Sequence, residues 1–359
     1  MKKSKLLIVL LIFLFSLSAC NQTQNENNDT ETHEHQFVYD HDSRNHFLKC
    51  ECGEEKEYAP HQFVEVLNGN SIDEKCDICS YQKKSKNLIQ LVDGIKYINN
   101  LYYITSAEGL INFAKIINGT LDEYPRTTFQ ATTVKLICDI DMENYEWTPI
   151  AEEISYTYEE QYHKDNFMEG MIFDGCGYTI SNLTITGERS VAFIGITSSS
   201  FTIQNVVFDK ANVSATSGWV SVVVGYSSNK LELKNITVKN SFIGGGTAYK
   251  VGGLVGMGQL AFGEIIITDC MVAKVTFKGL YSVSGLVGEL TGSERATFTN
   301  NIVSRCSFSV TDGELKTSPF AVWDSNYMPL DRTQNLNYFN SGTNCANNLN
   351  ESNDFIYGK

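Results

Sequence analysis

The chain has 359 residues, a formal net charge of −14, 27 glycines, 5 prolines and ten cysteines. A hydrophobic share of 42% and an aromatic share of 11% are ordinary for a globular protein, which excludes wholesale disorder, collagen and a polytopic membrane protein. The acidic balance offers no basic surface to phosphate groups, so we expect no nucleic-acid partner. The cysteines raise the question of compartment, because disulfides persist mainly outside the reducing cytosol.

The first 19 residues have the pattern of a secretion signal. They contain a positive start, an apolar run and a closing tetrapeptide: Lys2, Lys3 and Lys5, residues 6–15, and Leu17-Ser18-Ala19-Cys20. This pattern is typical of a signal peptide and not of a membrane span. The tetrapeptide resembles a bacterial lipobox, which implies cleavage before Cys20 and its acylation, for example with palmitate. An ordinary secretion signal with an incidental cysteine is the alternative.

The signal predicts an extracytoplasmic protein, lipid-anchored to the bacterial cell membrane at the cell surface. The bilayer is then a partner through acylated Cys20. Residues 1–19 carry three lysines and no acids, so their removal changes the net charge from −14 to −17. Such a body gains no electrostatic help from anionic lipids. Residues 20–32 are almost entirely polar and predict a disordered tether that reaches about 40 Å when stretched.

Residues 33–82 contain an internal repeat of two copies, 26 residues apart. His35-Gln36-Phe37-Val38 matches His61-Gln62-Phe63-Val64, and Lys49-Cys50 matches Lys75-Cys76. Each copy is too short for a hydrophobic core of its own, so the pair requires a metal or a covalent link. Residues 83–98 read as a linker to the next domain.

Two closely spaced cysteine pairs in this repeat have the spacing of a four-thiolate zinc site. We therefore expect a structural zinc and no organic cofactor. Disulfides between the copies and free thiols are alternatives, and stacking on the neighbouring phenylalanines is the simpler interpretation of His35 and His61. The candidate ligands outnumber those of one zinc, which leaves room for a second site: Cys50, Cys52, Cys76 and Cys79, with His35, His46 and His61 as alternates.

The same segment resembles short His/Cys repeats that occur in tandem on large surface proteins of gut and oral bacteria. The resemblance implies a small zinc-ribbon-like module with a structural metal. Two departures are the short Cys50-Glu51-Cys52 spacing and Ser80 in place of glycine. The matching residues are His35-Gln36-Phe37, His46, Cys50-Glu51-Cys52-Gly53, His61-Gln62-Phe63 and Cys76-Asp77-Ile78-Cys79-Ser80-Tyr81.

Helical spacing of apolar residues predicts one amphipathic helix over 106–117. Thr105-Ser106-Ala107-Glu108 reads as a capping box, and Asn118-Gly119 ends the helix. After this point, short runs of valine, isoleucine, phenylalanine and threonine alternate with glycine, asparagine and serine. Such runs predict strands and no further helix.

A second repeat, with spacings of 30 to 32 residues, runs through the following part of the chain. Repeats this short bury their apolar faces only by stacking, which predicts an all-β fold: a right-handed parallel β-helix, or solenoid, over 99–310. The helix would cap its first turn, and 311–359 would form a C-terminal cap or tail. The repeated runs are Phe193-Ile194-Gly195, Val223-Val224-Gly225, Gly253-Leu254-Val255-Gly256 and Gly285-Leu286-Val287-Gly288.

A second series of runs assigns inward and outward faces. Aligning residues 180–185 with 203–208 and 233–238 places Ile180, Leu183 and Ile185 inward. The same alignment puts Cys270 and Cys306 in the column of Leu183, as core thiols, with a disulfide between turns as the alternative. It also predicts one column of turn residues: Asn182, Asn205, Asn235 and Asp269.

The region from about 100 to 310 resembles bacterial surface proteins that carry the GLUG motif. This resemblance implies an adhesin-like or cell-envelope β-helix, similar in fold to pectate lyases, and it implies no catalytic residues. Departures include Ala151 and Cys176. The matching segments are 103–108, 136–142, Trp147-Thr148-Pro149-Ile150, 173–183 and the Gly-Leu-Val-Gly runs.

Outward carboxylates are the obvious candidates for catalysis on such a fold, since glycosidases use paired acids. Asp139, Asp141 and Asp174 are the candidates, but the acids between 180 and 310 are scattered. We therefore expect no enzyme, with a polysaccharide lyase or hydrolase as the alternative. A zinc-scavenging lipoprotein is the second alternative. The expected function is non-catalytic binding of glycan or of host or envelope protein, with contacts from an aromatic insertion: Tyr156, Tyr158 and Tyr162.

Overall fold

The computed structural model describes residues 34–150, 166–260, 263–292, 296–311, 316–318, 320–324, 331–333, 336–338 and 355–358. The predicted signal and tether, Cys20, and Tyr156, Tyr158 and Tyr162 lie outside these residues. The chain divides into two compact units, with the boundary between His61 and Gln62. In the described ranges, no helix combines the length and the apolar character needed to cross a membrane.

The first unit is an antiparallel sheet that contains the first copy of the 26-residue repeat. Its strands are β1 (Phe37–His41), β2 (Asn45–Cys50) and β3 (Glu55–Pro60), in the order β1-β2-β3. Asp42 closes the first turn by accepting hydrogen bonds from the backbone of Arg44 and Asn45. Phe47 is buried and stacks on Tyr58 with 4.6 Å between ring centroids, and Phe47 and Cys50 are the buried apolar side chains among the described residues of this unit.

The second copy repeats this structure and belongs to the second unit. Strands β4 (Phe63–Asn68), β5 (Ser71–Cys76) and β6 (Lys86–Asn87) form another antiparallel sheet. Phe63 pairs with Cys76 in it, as Phe37 pairs with Cys50 in the first copy. The sequence repeat is thus also a repeat of strand register. Ile72 of this copy is fully buried with Tyr103 and Ile137.

A meander and one helix precede the regular turns. The meander is β7 (Ile89–Val92), β8 (Ile95–Ile98) and β9 (Leu101–Ile104), and the helix is α1 (Ala107–Asn118). Ser106 caps α1 by accepting from the backbone N–H of Gly109 at 3.2 Å, whereas Thr105 donates to the carbonyl of Gly94. The predicted helix is confirmed, but its cap is Ser106 and not the Thr105–Glu108 box.

The remaining strands form a parallel β-solenoid, which confirms the predicted fold class. A short 3-10 helix, Asn166–Met168, precedes β12. In chain order the strands are β10 (Thr133–Leu136), β11 (Ile140–Asp141), β12 (Ile172–Asp174), β13 (Thr179–Ser181), β14 (Thr184–Gly187), β15 (Ile194–Thr197), β16 (Phe201–Asp209), β17 (Asn212–Ala215), β18 (Trp219–Val220), β19 (Val224–Ser227), β20 (Leu231–Lys239), β21 (Phe242–Gly244), β22 (Lys250–Gly252), β23 (Val255–Leu260), β24 (Ile265–Thr268), β25 (Met271–Ala273), β26 (Thr276–Gly279), β27 (Ser282–Ser284), β28 (Val287–Gly292), β29 (Ala296–Thr299), β30 (Ile302–Ser304), β31 (Ser307–Val310), β32 (Lys316–Ser318), β33 (Ala321–Asp324), β34 (Asp331–Thr333), β35 (Leu336–Tyr338) and β36 (Phe355–Gly358).

Each turn of the solenoid adds one strand to each of several parallel sheets. One sheet runs from the meander through β10, β12, β16, β20, β24 and β29 to β34. The others run in the orders β14-β17-β21-β26-β31, β15-β19-β23-β28-β33-β36 and β18-β22-β27-β32. Valine, isoleucine and phenylalanine side chains of all turns fill one continuous core. Phe113 of α1 joins it through Phe129 and Phe173, at centroid distances of 4.8 and 5.8 Å, so the helix covers the first turn.

The predicted alignment of residues 180–185 with 203–208 is wrong. Ile180 pairs with Phe208, not with Ile203, and Ser181 pairs with Asp209. Asn182 therefore lies outside the column of Asn205. The reason is that each turn has two corners of the same kind, each with one residue at positive φ, so similar short motifs occur twice per turn. The corner columns are Asn205, Asn235, Asp269 and Asn300, and Asn182, Lys210, Asn240, Lys274 and Arg305.

The two buried cysteines lie in different columns of the solenoid, not in the same one. Cys270 and Cys306 are each 1% exposed, which confirms that they point inward. Cys270 stacks below Ile236, whereas Cys306 follows Leu183 in the neighbouring column. Both thiols are free, and burial raises their pKa values, to about 12 and about 11. They behave as small apolar side chains.

The glycines of the repeated Gly-Leu-Val-Gly runs lie where the backbone of adjacent turns meets. A Cβ atom on Gly256 would lie 2.6 Å from the carbonyl oxygen of Gly225 and 2.7 Å from the nitrogen of Val220. A Cβ on Gly288 would lie 2.5 Å from the carbonyl of Gly256. The motif thus recurs because the corner has no room for a side chain at Gly225, Gly256 and Gly288.

Candidate metal group and the acidic residues of the solenoid

Three predicted ligands come together in the first unit. The ligand atoms of His35, Cys50 and Cys52 all lie within 4.8 Å of one another, and Cys52 Sγ lies 3.3 Å from His35 Nδ1. Cys50 ends β2 and Cys52 lies in the turn to β3. The backbone of Gly53, at φ 95°, donates to the carbonyl of Cys50 at 2.9 Å and tightens this turn. The turn brings both thiols of the short Cys-x-Cys pair to one side.

Glu54 is a fourth candidate ligand that the sequence analysis missed. Its Oε2 lies 3.1 Å from His35 Nδ1. A carboxylate directly after the Cys-x-Cys-Gly turn was the available signal. His35 also stacks on Phe37, at 5.6 Å between ring centroids, so the simpler interpretation of this histidine holds as well. One nitrogen, two sulfurs and one carboxylate oxygen match the donor set of zinc.

Electrostatics in this group oppose a thiolate when no cation is present. The backbone N–H of Glu54 lowers the pKa of the Cys52 thiol, but the Cys50 thiol, burial and the Glu54 charge together raise it above its ordinary value. Metal ligation requires the deprotonated thiol. The negative charges gathered around Cys52 are therefore the charges that a divalent cation would neutralise.

The other predicted ligands are distributed between the two units. In the first unit, His46 is buried and its ring lies 6.0 Å from that of His61, which in turn lies 6.2 Å from His41. In the second unit, Cys76 is buried at the end of β5 and Cys79 lies in the bend that follows. Cys/His groups able to hold a metal are thus present among the described residues.

The three acidic candidates of the solenoid accept hydrogen bonds at its turns. Asp139 accepts from the backbone of Thr179 at 2.8 Å. Asp141 accepts from Asn182 Nδ2 at 2.8 Å and from the backbone of Glu143, and these bonds lower its pKa. Asp174 accepts from the backbone of Cys176 and from the amide groups of Gln204 and Asn205. A general acid needs a raised pKa, so the lowered pKa of Asp141 is the opposite of that requirement.

Amide side chains connect successive turns at the corners. Asn235 donates from Nδ2 to Oδ1 of Asn205 at 2.9 Å, and Asn240 donates to Asp209 at 2.8 Å. Asn205 and Asn235 have φ near +50°, a conformation that asparagine tolerates better than most residues. The predicted asparagine ladder therefore exists between Asn205 and Asn235, in the column that continues with Asp269 and Asn300.

A cavity of about 470 Å³ lies in the second unit, where the β4–β5 hairpin meets the first turns of the solenoid. No sequence pattern indicates it, because its lining residues come from distant parts of the chain, from Phe63 to Tyr178. Its side chains include an aromatic pair, a lysine–glutamate pair and a thiol: Phe63 and Tyr178, Lys135 and Glu65, and Cys176.

Comparisons with known proteins assign no family. No protein-family model and no curated protein matches the chain. A solved structure from Bacteroides ovatus, described as a putative immunoglobulin A1 protease, is similar to 67% of this chain and 84% of its own chain, with 14% identity and a TM-score of 0.35. A likeness at this level carries no information about function.

Proposed function

We propose that the chain is a lipid-anchored protein of the bacterial cell surface whose solenoid binds glycan or protein ligands without catalysis. The absence of catalysis is proposed because Asp139, Asp141 and Asp174 serve as hydrogen-bond acceptors in turns. Such carboxylates are already occupied in stabilising the corners. The anchoring part rests on the lipobox-like residues that end in Cys20.

The outer surface of the solenoid also supports a binding function. Stacked turns form long, regular outer faces, and repeat proteins use such extended surfaces to bind partners. The net charge of −14, which removal of three lysines with the signal makes −17, favours ligands that are not strongly anionic.

The test has a binding arm and an activity arm. The full chain should bind members of glycan and host-protein arrays. It should release no product from pectin, glycosaminoglycan or peptidoglycan. Product release by the wild type that an Asp139→Ala/Asp141→Ala double variant abolishes would establish the lyase or hydrolase alternative and overturn the non-catalytic proposal. Absence of any ligand on both arrays would overturn the binding proposal.

We further propose a structural zinc in the first unit, held by His35, Cys50, Cys52 and Glu54. Its support is the approach of His35, Cys50 and Cys52 to one another, with Glu54 beside His35, in a sheet that has almost no hydrophobic core. A metal would then stabilise the fold of this small unit, as structural zinc does in other small domains.

A further inference from the structure

The cavity beside the β4–β5 hairpin has a rigid and polar frame. Glu65 Oε1 accepts from the hydroxyl of Tyr103 at 3.1 Å, and Glu65 Oε2 lies 2.5 Å from Lys135 Nζ. Both members of this ion pair are about one-fifth exposed. Tyr103 is itself buried in the apolar cluster under the hairpin. The carboxylate and the ammonium therefore keep fixed positions at the cavity wall.

A corner of the solenoid presents two further groups to the cavity. Asp174 accepts from the backbone of Cys176 at 2.8 Å, and the backbone of Tyr178 donates to the carbonyl of Gly175 at 2.8 Å. Cys176 has a φ of +51°, which few residues other than glycine and asparagine adopt. Cys176 is exposed, and partial desolvation by the surrounding residues together with the Asp174 charge raises the pKa of its thiol to about 12. The same backbone conformation recurs at other corners of the solenoid, for example at Asn205 and Lys210, so it identifies Cys176 as a corner residue.

The lining combines aromatic surface with acceptors and one donor. Phe63 and Tyr178 supply rings, and Ile137 supplies apolar surface. Lys135 pairs with Glu65, and Lys83 and Lys86 pair with Glu74, so ammonium groups neutralise both carboxylates of the lining. Sugars stack their C–H faces on aromatic rings and donate hydroxyl groups to carboxylates, and a lining whose charges are paired suits a neutral ligand. The volume of about 470 Å³ falls within the range of small-molecule sites.

We propose that this cavity binds a neutral sugar unit of one or two rings, with Tyr178 as stacking surface and Glu65 as hydroxyl acceptor. The inference rests on the proposed binding function and names its ligand class and its site. Lys135 then has two roles, since it fixes Glu65 and can donate to a ring or hydroxyl oxygen.

Calorimetry of the full chain with cellobiose, maltose, lactose and diacetylchitobiose tests the site, with digalacturonic acid as the anionic comparison. At least one neutral disaccharide should bind. Tyr178→Ala and Glu65→Gln should each weaken its binding about tenfold. The matched controls are Tyr281→Ala, which removes an exposed tyrosine of the solenoid, and Glu232→Gln, which removes a lysine-paired glutamate of similar exposure. Both controls should bind within about twofold of the wild type.

A footprint locates the sugar independently of the substitutions. Saturating disaccharide should slow N-ethylmaleimide labelling of Cys176, measured by peptide mass spectrometry, and leave Cys138, which does not line the cavity, unchanged. Unaltered affinity in both cavity variants, or an unprotected Cys176, would overturn the cavity assignment while the proposed binding function stands. So would a chain that binds array ligands but none of the four neutral disaccharides. A chain that binds nothing on any array overturns the proposed function itself.

Discussion

At the scale of single residues, polar side chains in this protein are used mainly to close turns. Asp42, Asp139, Asp141 and Asp174 all accept backbone N–H groups near corners. Buried or turn-forming N–H groups need an acceptor, and a short carboxylate beside the turn provides one locally. The three acidic residues that the sequence offers as catalytic candidates thus all accept hydrogen bonds at turns of the folded chain.

Asp141 gives a prediction about acid stability. Bonds from Asn182 and from the backbone of Glu143 lower its pKa in the folded protein. Its contribution to stability is therefore complete above its unfolded pKa of about 3.9 and is lost as the pH falls through the lower folded pKa. The difference in free energy of unfolding between the wild type and Asp141→Asn should be constant above about pH 5 and shrink toward pH 2. Denaturant titrations across this range would contradict the prediction if the difference stayed constant.

The metal group gives a second prediction at this scale. His35→Ala and Cys52→Ser should each lower the zinc content of the purified full chain by about one equivalent, because each removes one of four donors. Cys138→Ser is the matched control, since its thiol donates to the carbonyl of Thr105 and belongs to no ligand group. Elemental analysis with a parallel protease digest of residues 34–61 provides the readout. Zinc content equal to the wild type in both variants would refute this ligand set.

At the scale of elements, the solenoid depends on close contact between the backbones of successive turns. Parallel strands and most corners accept side chains of several sizes, but the glycine positions of the Gly-Leu-Val-Gly runs do not. The Gly-Leu-Val-Gly runs place glycine wherever the next turn approaches within van der Waals distance, and apolar residues next to it fill the core. The same packing requirement recurs in successive turns, so the same residues recur in the sequence and the repeat is visible there.

Gly256→Ala should destabilise the second unit by about 1–3 kcal/mol, because its Cβ would collide with backbone atoms of the preceding turn, which have little freedom to move. Gly246→Ala is the matched control: a Cβ at that position meets nothing within 4 Å. Urea unfolding of both variants measures the effect. Equal midpoints for the two variants would show that the corner can widen without cost.

At the scale of the whole molecule, the structure comprises a small antiparallel unit and a solenoid unit, which the N-terminal sequence predicts to be tethered to a membrane. The two copies of the 26-residue repeat have the same strand register but fall in different units. The second copy packs on the solenoid through Ile72 and Glu65, whereas the first has little buried apolar surface beyond Phe47 and a group of candidate metal ligands. Copies of one motif have thus acquired different means of stabilisation.

The anchoring proposal predicts the fate of the whole chain in cells. Wild-type protein expressed in a bacterial host should fractionate with membranes and incorporate an alkyne-labelled fatty acid. Cys20→Ser should abolish the label and move the protein to the soluble fraction, because the acidic body has no electrostatic attraction to anionic lipids. Cys52→Ser controls for the general loss of a cysteine. A labelled Cys20→Ser protein would contradict acylation at this residue.

The sequence by itself determined the solenoid, its capping helix, the inward-facing cysteines and the two copies of the Cys/His repeat. These features are local or strictly periodic, so that spacing alone reveals them. Only the tertiary structure decided that Ile180 pairs with Phe208, since two similar corners in each turn make the register ambiguous in one dimension. It also decided the approach of Glu54 to His35 and the cavity that joins Glu65 to Cys176. Those contacts depend on where the folded chain brings distant residues together, and no short-range pattern encodes that.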